Sequence, residues 1–234
     1  MSFFAYKVKI FSIVGLFLIS LIPTEISWTQ EVITAGKFFE TVSQTYGSIT
    51  DYEADMVISQ EESVMEAVLS YKRPNLLRLD FSVPENQVIV TDGKLLTIYY
   101  PKLEVIFEQK LKNASEGSFV AFGSLEGLYY LKNNYSISYL VGPQAVPLDN
   151  FSEELVVKLK LSSRSTSEGF RQLEIAIDRG NLIRRVSGLT VGFKEHRFDF
   201  LNIRTNQNIP DARFEYDSPP FANVYQNFLY QPEN

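Results

Sequence analysis

The sequence contains no cysteine, a single histidine and a single tryptophan. With no cysteine, disulfide scaffolds, thiolate metal sites and a thiol nucleophile are excluded. So is a lipid-modified N-terminal cysteine, and the chain is therefore not itself a lipoprotein. A lone histidine leaves no metal site of several His or Cys ligands. His196 follows Lys194-Glu195 with no ordered Ser/Asp set around it, and reads as a solvated side chain on a polar edge rather than a general base. There is no glycine-rich phosphate loop. The carboxylate pairs Glu61-Glu62 and Glu153-Glu154 fall in turns, where solvated charge is the simplest reading. No catalytic, cofactor or metal-binding residue is nominated, and the chain is not expected to be an enzyme. Basic residues are also in deficit, 22 against 28 acidic, for a net charge of −6. An acidic protein has no electrostatic reason to bind nucleic acid or an anionic bilayer surface.

What is present is apolar and aromatic. Of the 234 residues 45% are hydrophobic, with 18 Phe and 13 Tyr, enough for one well-packed domain of β-rich character. The N-terminus has the layout of a secretory signal. Lys7 and Lys9 precede the apolar run Ile10 to Ile22, Pro23 breaks it, and Ser27-Trp28-Thr29 places small residues at the −3 and −1 positions of a cleavage site. The run is short for a bilayer span, which takes about 20 apolar residues, so residues 1–29 are read as a cleaved signal peptide and 30–234 as the exported domain. Removing residues 1–29 leaves 20 basic and 27 acidic residues, a net of −7.

Beyond the signal, Val32 to Tyr46 carries apolar residues at helical spacing and ends at Gly47, a plausible C-cap. From Ile49 the period becomes two. Tyr52, Ala54, Met56 and Ile58 alternate with Glu53, Asp55, Val57 and Ser59, and Met65, Ala67, Leu69 and Tyr71 repeat the pattern, as do Leu77, Leu79 and Phe81. Short runs follow at 87–91, 95–100 and 104–110. Ala114 to Asn133 suits one or two short helices interrupted at Gly123 and Gly127. Strands then resume at 135–141, 155–162, 171–178, 183–191, 196–205 and 213–217, with a Pro-containing loop at 142–150. The tail after Pro219-Pro220 has no clear class. There is no linker, repeat or low-complexity tract. The expected fold is mainly β with a few helices: one antiparallel sheet of about eleven strands, too many to stay flat. It curls, with two or three short helices to cover its concave apolar face.

One stretch is more specific. Tyr71-Lys72-Arg73-Pro74-Asn75-Leu76-Leu77-Arg78 is followed by Gln87-Val88-Ile89-Val90-Thr91-Asp92-Gly93-Lys94, then by Tyr99-Tyr100-Pro101 and a strand from Glu104 to Gln109. Near the C-terminus comes Phe214-Glu215-Tyr216-Asp217-Ser218-Pro219-Pro220. In this order and spacing the landmarks resemble those of the outer-membrane lipoprotein carrier family (LolA), over about residues 31–224. Asp92-Gly93 taken singly is a hairpin turn found in any β protein.

The resemblance implies a half-open, unclosed antiparallel β-barrel with a helical lid over an apolar cavity. It implies a periplasmic chaperone without a cofactor, which accepts acylated lipoproteins from an inner-membrane ABC transporter and passes them to an outer-membrane receptor, and which acts as a monomer. The family's lid-holding arginine corresponds to Arg73; the other reading is that Arg73 orders its own turn. Cavity candidates are Met56, Met65, Leu69, Leu77, Leu79, Phe81, Ile98 and Phe107 on strands, with Phe38, Phe39, Phe122 and Leu128 on the lid. Ordinary core packing is the competing reading of each. Transport of another lipid or glycolipid, or an envelope lipid-sensing module on the same fold, are the alternative functions. The short link from Gln60 to Glu66, the first helix and the Tyr-rich tail from Tyr225 to Asn234 depart from the family pattern.

Overall fold

The computed structural model describes residues 33–111, 122–166 and 168–227. The expected signal peptide, Phe119 and Val120 of the expected lid, and the tail from residue 228 lie outside the described residues. The first element is helix α1, Ala35–Ser48. Its start is fixed by Thr34, whose side chain accepts from the Lys37 N–H, satisfying one of the donors that a helix N-terminus leaves free. Residues Phe39, Val42, Ser43 and Tyr46 form one buried stripe. Gly47 is not the cap that the sequence suggested; it stays helical, and Ile49 ends the helix in an extended conformation.

Two ten-residue strands follow, β1 (Asp51–Gln60) and β2 (Ser63–Lys72), paired along their whole length from Asp51↔Lys72 to Gln60↔Ser63. The meander continues through β3 (Leu76–Val83), β4 (Val88–Thr91), β5 (Leu95–Tyr100) and β6 (Val105–Lys110). Asp92 closes the β4–β5 hairpin by accepting from the N–H groups of Lys94 and Leu95, both at 2.8 Å. Gly93 has a φ of +84° there, and a Cβ on it would strike the Asn75 side chain, so this turn needs glycine. Helix α2, Leu125–Asn134, is capped by Ser124 and runs through Gly127 without interruption. It passes directly into β7 (Tyr135–Tyr139), followed by β8 (Val146–Pro147), β9 (Leu155–Ser163), β10 (Phe170–Ile177), β11 (Ile183–Thr190), β12 (Glu195–Thr205) and β13 (Asn223–Gln226).

All thirteen strands of the described residues belong to one sheet, ordered β13-β6-β5-β4-β3-β2-β1-β12-β11-β10-β9-β7, with β8 on β9. Two strands exceed the number expected. Val146–Pro147 pairs with Leu155–Val156 inside the expected loop, and the unclassified tail supplies β13, which runs parallel to β6. The strand expected at 213–217 does not form: Asp211–Phe214 is a 3-10 turn, entered through Pro210, whose ring cannot donate to a ladder. β13 and β7 end the strand path without pairing to each other, so the barrel is unclosed.

The alternation of each strand sends one face inward. Tyr52, Ala54, Met56 and Ile58 of β1, Leu159 and Leu161 of β9, Leu173 and Ile175 of β10, and Phe198 and Phe200 of β12 join the main core with α1 and α2. The opposite face is covered only locally. Val88, Val90 and Ile106 are buried there, on the side where Arg78 and Asp80 hold the C-terminal strap 209–216. Arg78 donates to the carbonyls of Arg213 and Glu215, and Arg213 pairs with Asp80. Tyr216 lies between Tyr99 and the Arg78 guanidinium.

Candidate functional site

Cross-strand register places an apolar row across the concave face. Ala54 opposes Leu69, Leu69 opposes Leu79, Leu79 opposes Ile89, Ile89 opposes Ile98, Ile98 opposes Phe107, and Phe107 opposes Tyr225. Opposed residues share a face, so the row crosses seven strands from β1 to the sheet's free edge. Burial is graded along it. Ala54, Leu69 and Leu79 are buried, Ile89, Ile98 and Phe107 are half-buried, and Tyr225 is 55% exposed. Of the residues nominated from sequence, Met56, Leu69, Leu77, Leu79 and Phe81 line the inner part of this face, and Met65 packs against it. Ile98 and Phe107 lie on the outer part, where the Phe107 ring meets Tyr225 at 5.8 Å and Tyr100 at 6.5 Å.

Among the described residues, the helices pack directly on the inner part of the concave face. Phe39 and Val42 of α1 and Leu128 of α2 are completely buried against the sheet, and Phe122, on the approach to α2, is wedged between Phe198 and Phe170 at 5.6 and 6.0 Å. Phe38 packs beside the core against Tyr139. An empty apolar chamber would forfeit dispersion contacts on every wall, so the helices occupy the space themselves. A groove of about 870 Å³ lies on the other face, with mixed walls that set Glu174, Arg185 and Arg197, which alternate away from the core, beside Val64, Leu189 and Phe193.

Polar contacts tie the helices down. Arg73 lies in the β2–β3 turn, and its Nη1 donates to the Gly47 carbonyl in the last turn of α1 at 2.7 Å. Gly47 faces Leu125 of α2, whose methyl groups a Cβ there would meet in ordinary contact at 3.6 Å. Tyr46 accepts the Ile183 N–H at 3.1 Å, and Tyr139 donates to the Ile33 carbonyl at 2.8 Å. Tyr46, Tyr52 and Tyr71 form a chain of ring contacts beneath the end of α1, at 6.4 and 5.3 Å. Burial holds all three phenols above their ordinary pKa, and in Tyr71 the nearby Glu126 carboxylate of α2 adds to this. They remain neutral, and the Tyr71 hydroxyl donates to the Pro74 carbonyl at 3.1 Å. Between the helices, Lys132 meets Glu40 at 2.6 Å, and this contact, helped by Lys37, holds the Glu40 carboxyl below the usual carboxylate range. None of these tyrosine and Glu–Lys ties was nominated from sequence, because local patterning does not record which distant residues meet.

His196 is half-buried rather than fully solvated, at the margin of the groove on the other face. Its partner across β11 is Gly188, and its ring stacks on Phe198 (6.4 Å, 9°) and meets Phe170 edge-on at 5.9 Å. Gly188 is needed here, since a Cβ would drive into the Phe170 ring.

Comparison with known proteins agrees with this architecture. The chain is 23% identical over 205 residues to the outer-membrane lipoprotein carrier protein of Pasteurella multocida, covering 86% of this chain and 90% of that one. It is 29% identical over 149 residues to the protein of the same name from Haemophilus influenzae, covering 63% and 64%. Among solved structures, an uncharacterized conserved protein of Thermus thermophilus superposes with a TM-score of 0.54 at 16% identity, over 82% of this chain and 98% of that one. The Pseudomonas aeruginosa MucA/MucB complex gives 0.50 at 14%, over 82% and 63%. These two likenesses speak for the fold alone. Residues 59–217, more than half of the chain, match the model of the outer membrane lipoprotein carrier protein LolA. The chain belongs to the LolA family.

Proposed function

We propose that this protein is an exported carrier that takes up the acyl chains of lipoproteins on the concave face of its sheet and moves them across the periplasm. The observation that carries this reading is the apolar row from Ala54 to Tyr225, which starts beneath the helices and surfaces at the sheet's open edge. Each buried methylene of an acyl chain is stabilised by about 0.8 kcal/mol, and a lipoprotein with several chains does not cross water unaided. A carrier must offer an interior nearly as apolar as lipid and still release its cargo.

A face whose inner part is already covered by its own helices meets both needs. Only the outer part of the row, from Ile89 to Tyr225, is partly exposed in the empty state, because side chains of α1 and α2 cover the inner acyl sites. Cargo displaces them, and their return helps expel it. The net affinity is then the difference between two similar burials, which suits handover from an inner-membrane ABC transporter to an outer-membrane receptor. Arg73 acts as the latch of this lid, and residues 1–29 direct export.

The test is transfer. The purified mature protein is incubated with inner membranes that contain the lipoprotein-releasing transporter and radiolabelled lipoproteins. The expected result is labelled lipoprotein in the supernatant, in a one-to-one complex with the protein. Label that stays with the membranes contradicts the proposal. Mass spectrometry of lipid extracted from the protein then separates lipoprotein acyl chains from a different lipid cargo.

A further inference from the structure

The sheet has two ends, and they differ. β7 has α1 beside it, joined through the Tyr139–Ile33 hydrogen bond and the Phe38–Tyr139 ring contact. β13 has β6 on one side and, among the described residues, no strand on the other. Asn223 and Asn227 donate to the carbonyls of Glu104 and Glu108, at 2.8 and 2.7 Å. Backbone groups alternate sides along a strand, so the N–H and C=O of Val224 and Gln226 point away from β6. Natural edges are commonly guarded by charge, proline or a bulge. The run Asn223-Val224-Tyr225-Gln226 has no charge and no proline, and all four residues are exposed.

This edge also has a fixed relation to the acyl row. Tyr225 is the row's last member, seated on Phe107. On the carrier reading, an acyl chain on Ile98 and Phe107 leaves the sheet beside β13, and the polypeptide joined to it through the acylated N-terminal residue leaves at the same place. We infer that the outer edge of β13 binds the extended N-terminal segment of the cargo polypeptide as an added strand, through Val224 and Gln226. Backbone pairing of this kind is tolerant of sequence, as a carrier of many cargoes requires. The inference rests on the proposed carrier function.

The test compares two ligands on two proteins. The ligands are dipalmitoylglyceryl-cysteine methyl ester and the same lipid amino acid followed by a short Ser/Thr/Val-rich peptide. The proteins are the full chain and Val224→Pro, which removes an outward N–H while leaving the N–H groups that bond β6 in place. The peptide is expected to tighten binding to the unaltered protein about tenfold, as expected for a few backbone hydrogen bonds. In Val224→Pro that gain disappears, and the methyl ester binds as before. Because proline can unseat β13, the gain is measured on the unaltered protein as well, with a peptide N-methylated at alternate amides, which is expected to abolish it in one of the two phases. A peptide that adds nothing, or a gain that survives both changes, overturns the edge-strand inference and leaves the carrier reading standing. Failure of the methyl ester to bind the unaltered protein overturns both.

Discussion

Arg73 and Gly47 meet across 2.7 Å, guanidinium to main-chain carbonyl, and the turn between β2 and β3 is thereby tied to the last turn of α1. The carbonyl end of a helix carries partial negative charge, so a cation there gains from both the hydrogen bond and the dipole. The guanidinium also has donors to spare. The proposed latch rests on this contact; the same arginine also orders its own turn through its N–H to the Thr50 carbonyl at 2.9 Å.

Arg73→Leu separates the two roles. The side chain is exposed, so its loss costs about 1 kcal/mol at most, a fall in Tm of about 2–4 °C. The fold persists, amides in the last turn of α1 exchange faster, and lipoprotein loading or transfer is impaired. Normal transfer by this variant assigns Arg73 to its turn alone.

The graded apolar row predicts a division between binding and stability. Ile98→Glu, on the half-buried outer part, is expected to weaken acyl binding about tenfold or more, because a carboxylate faces hydrocarbon there, with little change in Tm. Leu159→Ala, at a completely buried position in β9, is expected to cost about 2–5 kcal/mol of stability. Titration of an acylated peptide, with thermal melts of both variants, checks the contrast.

The C-terminal strap predicts an acid dependence. Burial raises the Asp80 carboxyl, but hydrogen bonds from Arg78 and Arg213 outweigh it and hold the pKa below its ordinary value. A carboxyl depressed by folding stabilises the protein above its unfolded pKa of about 4, and that contribution is lost as pH falls through the folded value. Asp80→Asn is therefore expected to lower stability at pH 7, by about 1 kcal/mol after allowing for partial exposure. The gap between the two proteins closes below about pH 4. Denaturant melts across that range measure it.

The Glu40–Lys132 pair predicts a charge-swap result. Lys132→Glu places like charges between α1 and α2 and is expected to increase binding of an apolar fluorescent dye, as the helices lift from the sheet. Glu40→Lys combined with Lys132→Glu restores opposite charges and returns dye binding to its original level. Equal dye binding by all three proteins rules out a role for this pair in closure.

How much of this was legible in the sequence depends on how local each signal is. The period-two alternation of Tyr52 to Ile58 and of Leu77 to Phe81 marked both strands and their buried faces, because in a strand the inward side chains are every second residue. Asp92-Gly93 marked its hairpin for an equally local reason. At the other extreme, Asn223–Gln226 has no alternation to detect and is a strand only because β6 offers an edge. Arg213–Asp217 alternates well enough to suggest a strand, yet Pro210 and the pull of Arg78 and Asp80 set it down as a turn and strap. His196 shares a face with Phe198 two residues along β12, which the period of two allows, but its charged neighbours say nothing of Phe170 in β10. The nominated strand residues do share one face, but sequence could not reveal how closely α1 and α2 pack on it.

The central claim is that cargo acyl chains replace these helices on the concave face. Hydrogen exchange of the amides in α1 and α2 tests it most directly, measured with and without a saturating diacylated lipopeptide. Faster exchange across Leu125–Asn134 in the loaded protein, with the β9–β12 core amides unchanged, is the result predicted. Equal protection of both helices in the two states contradicts it.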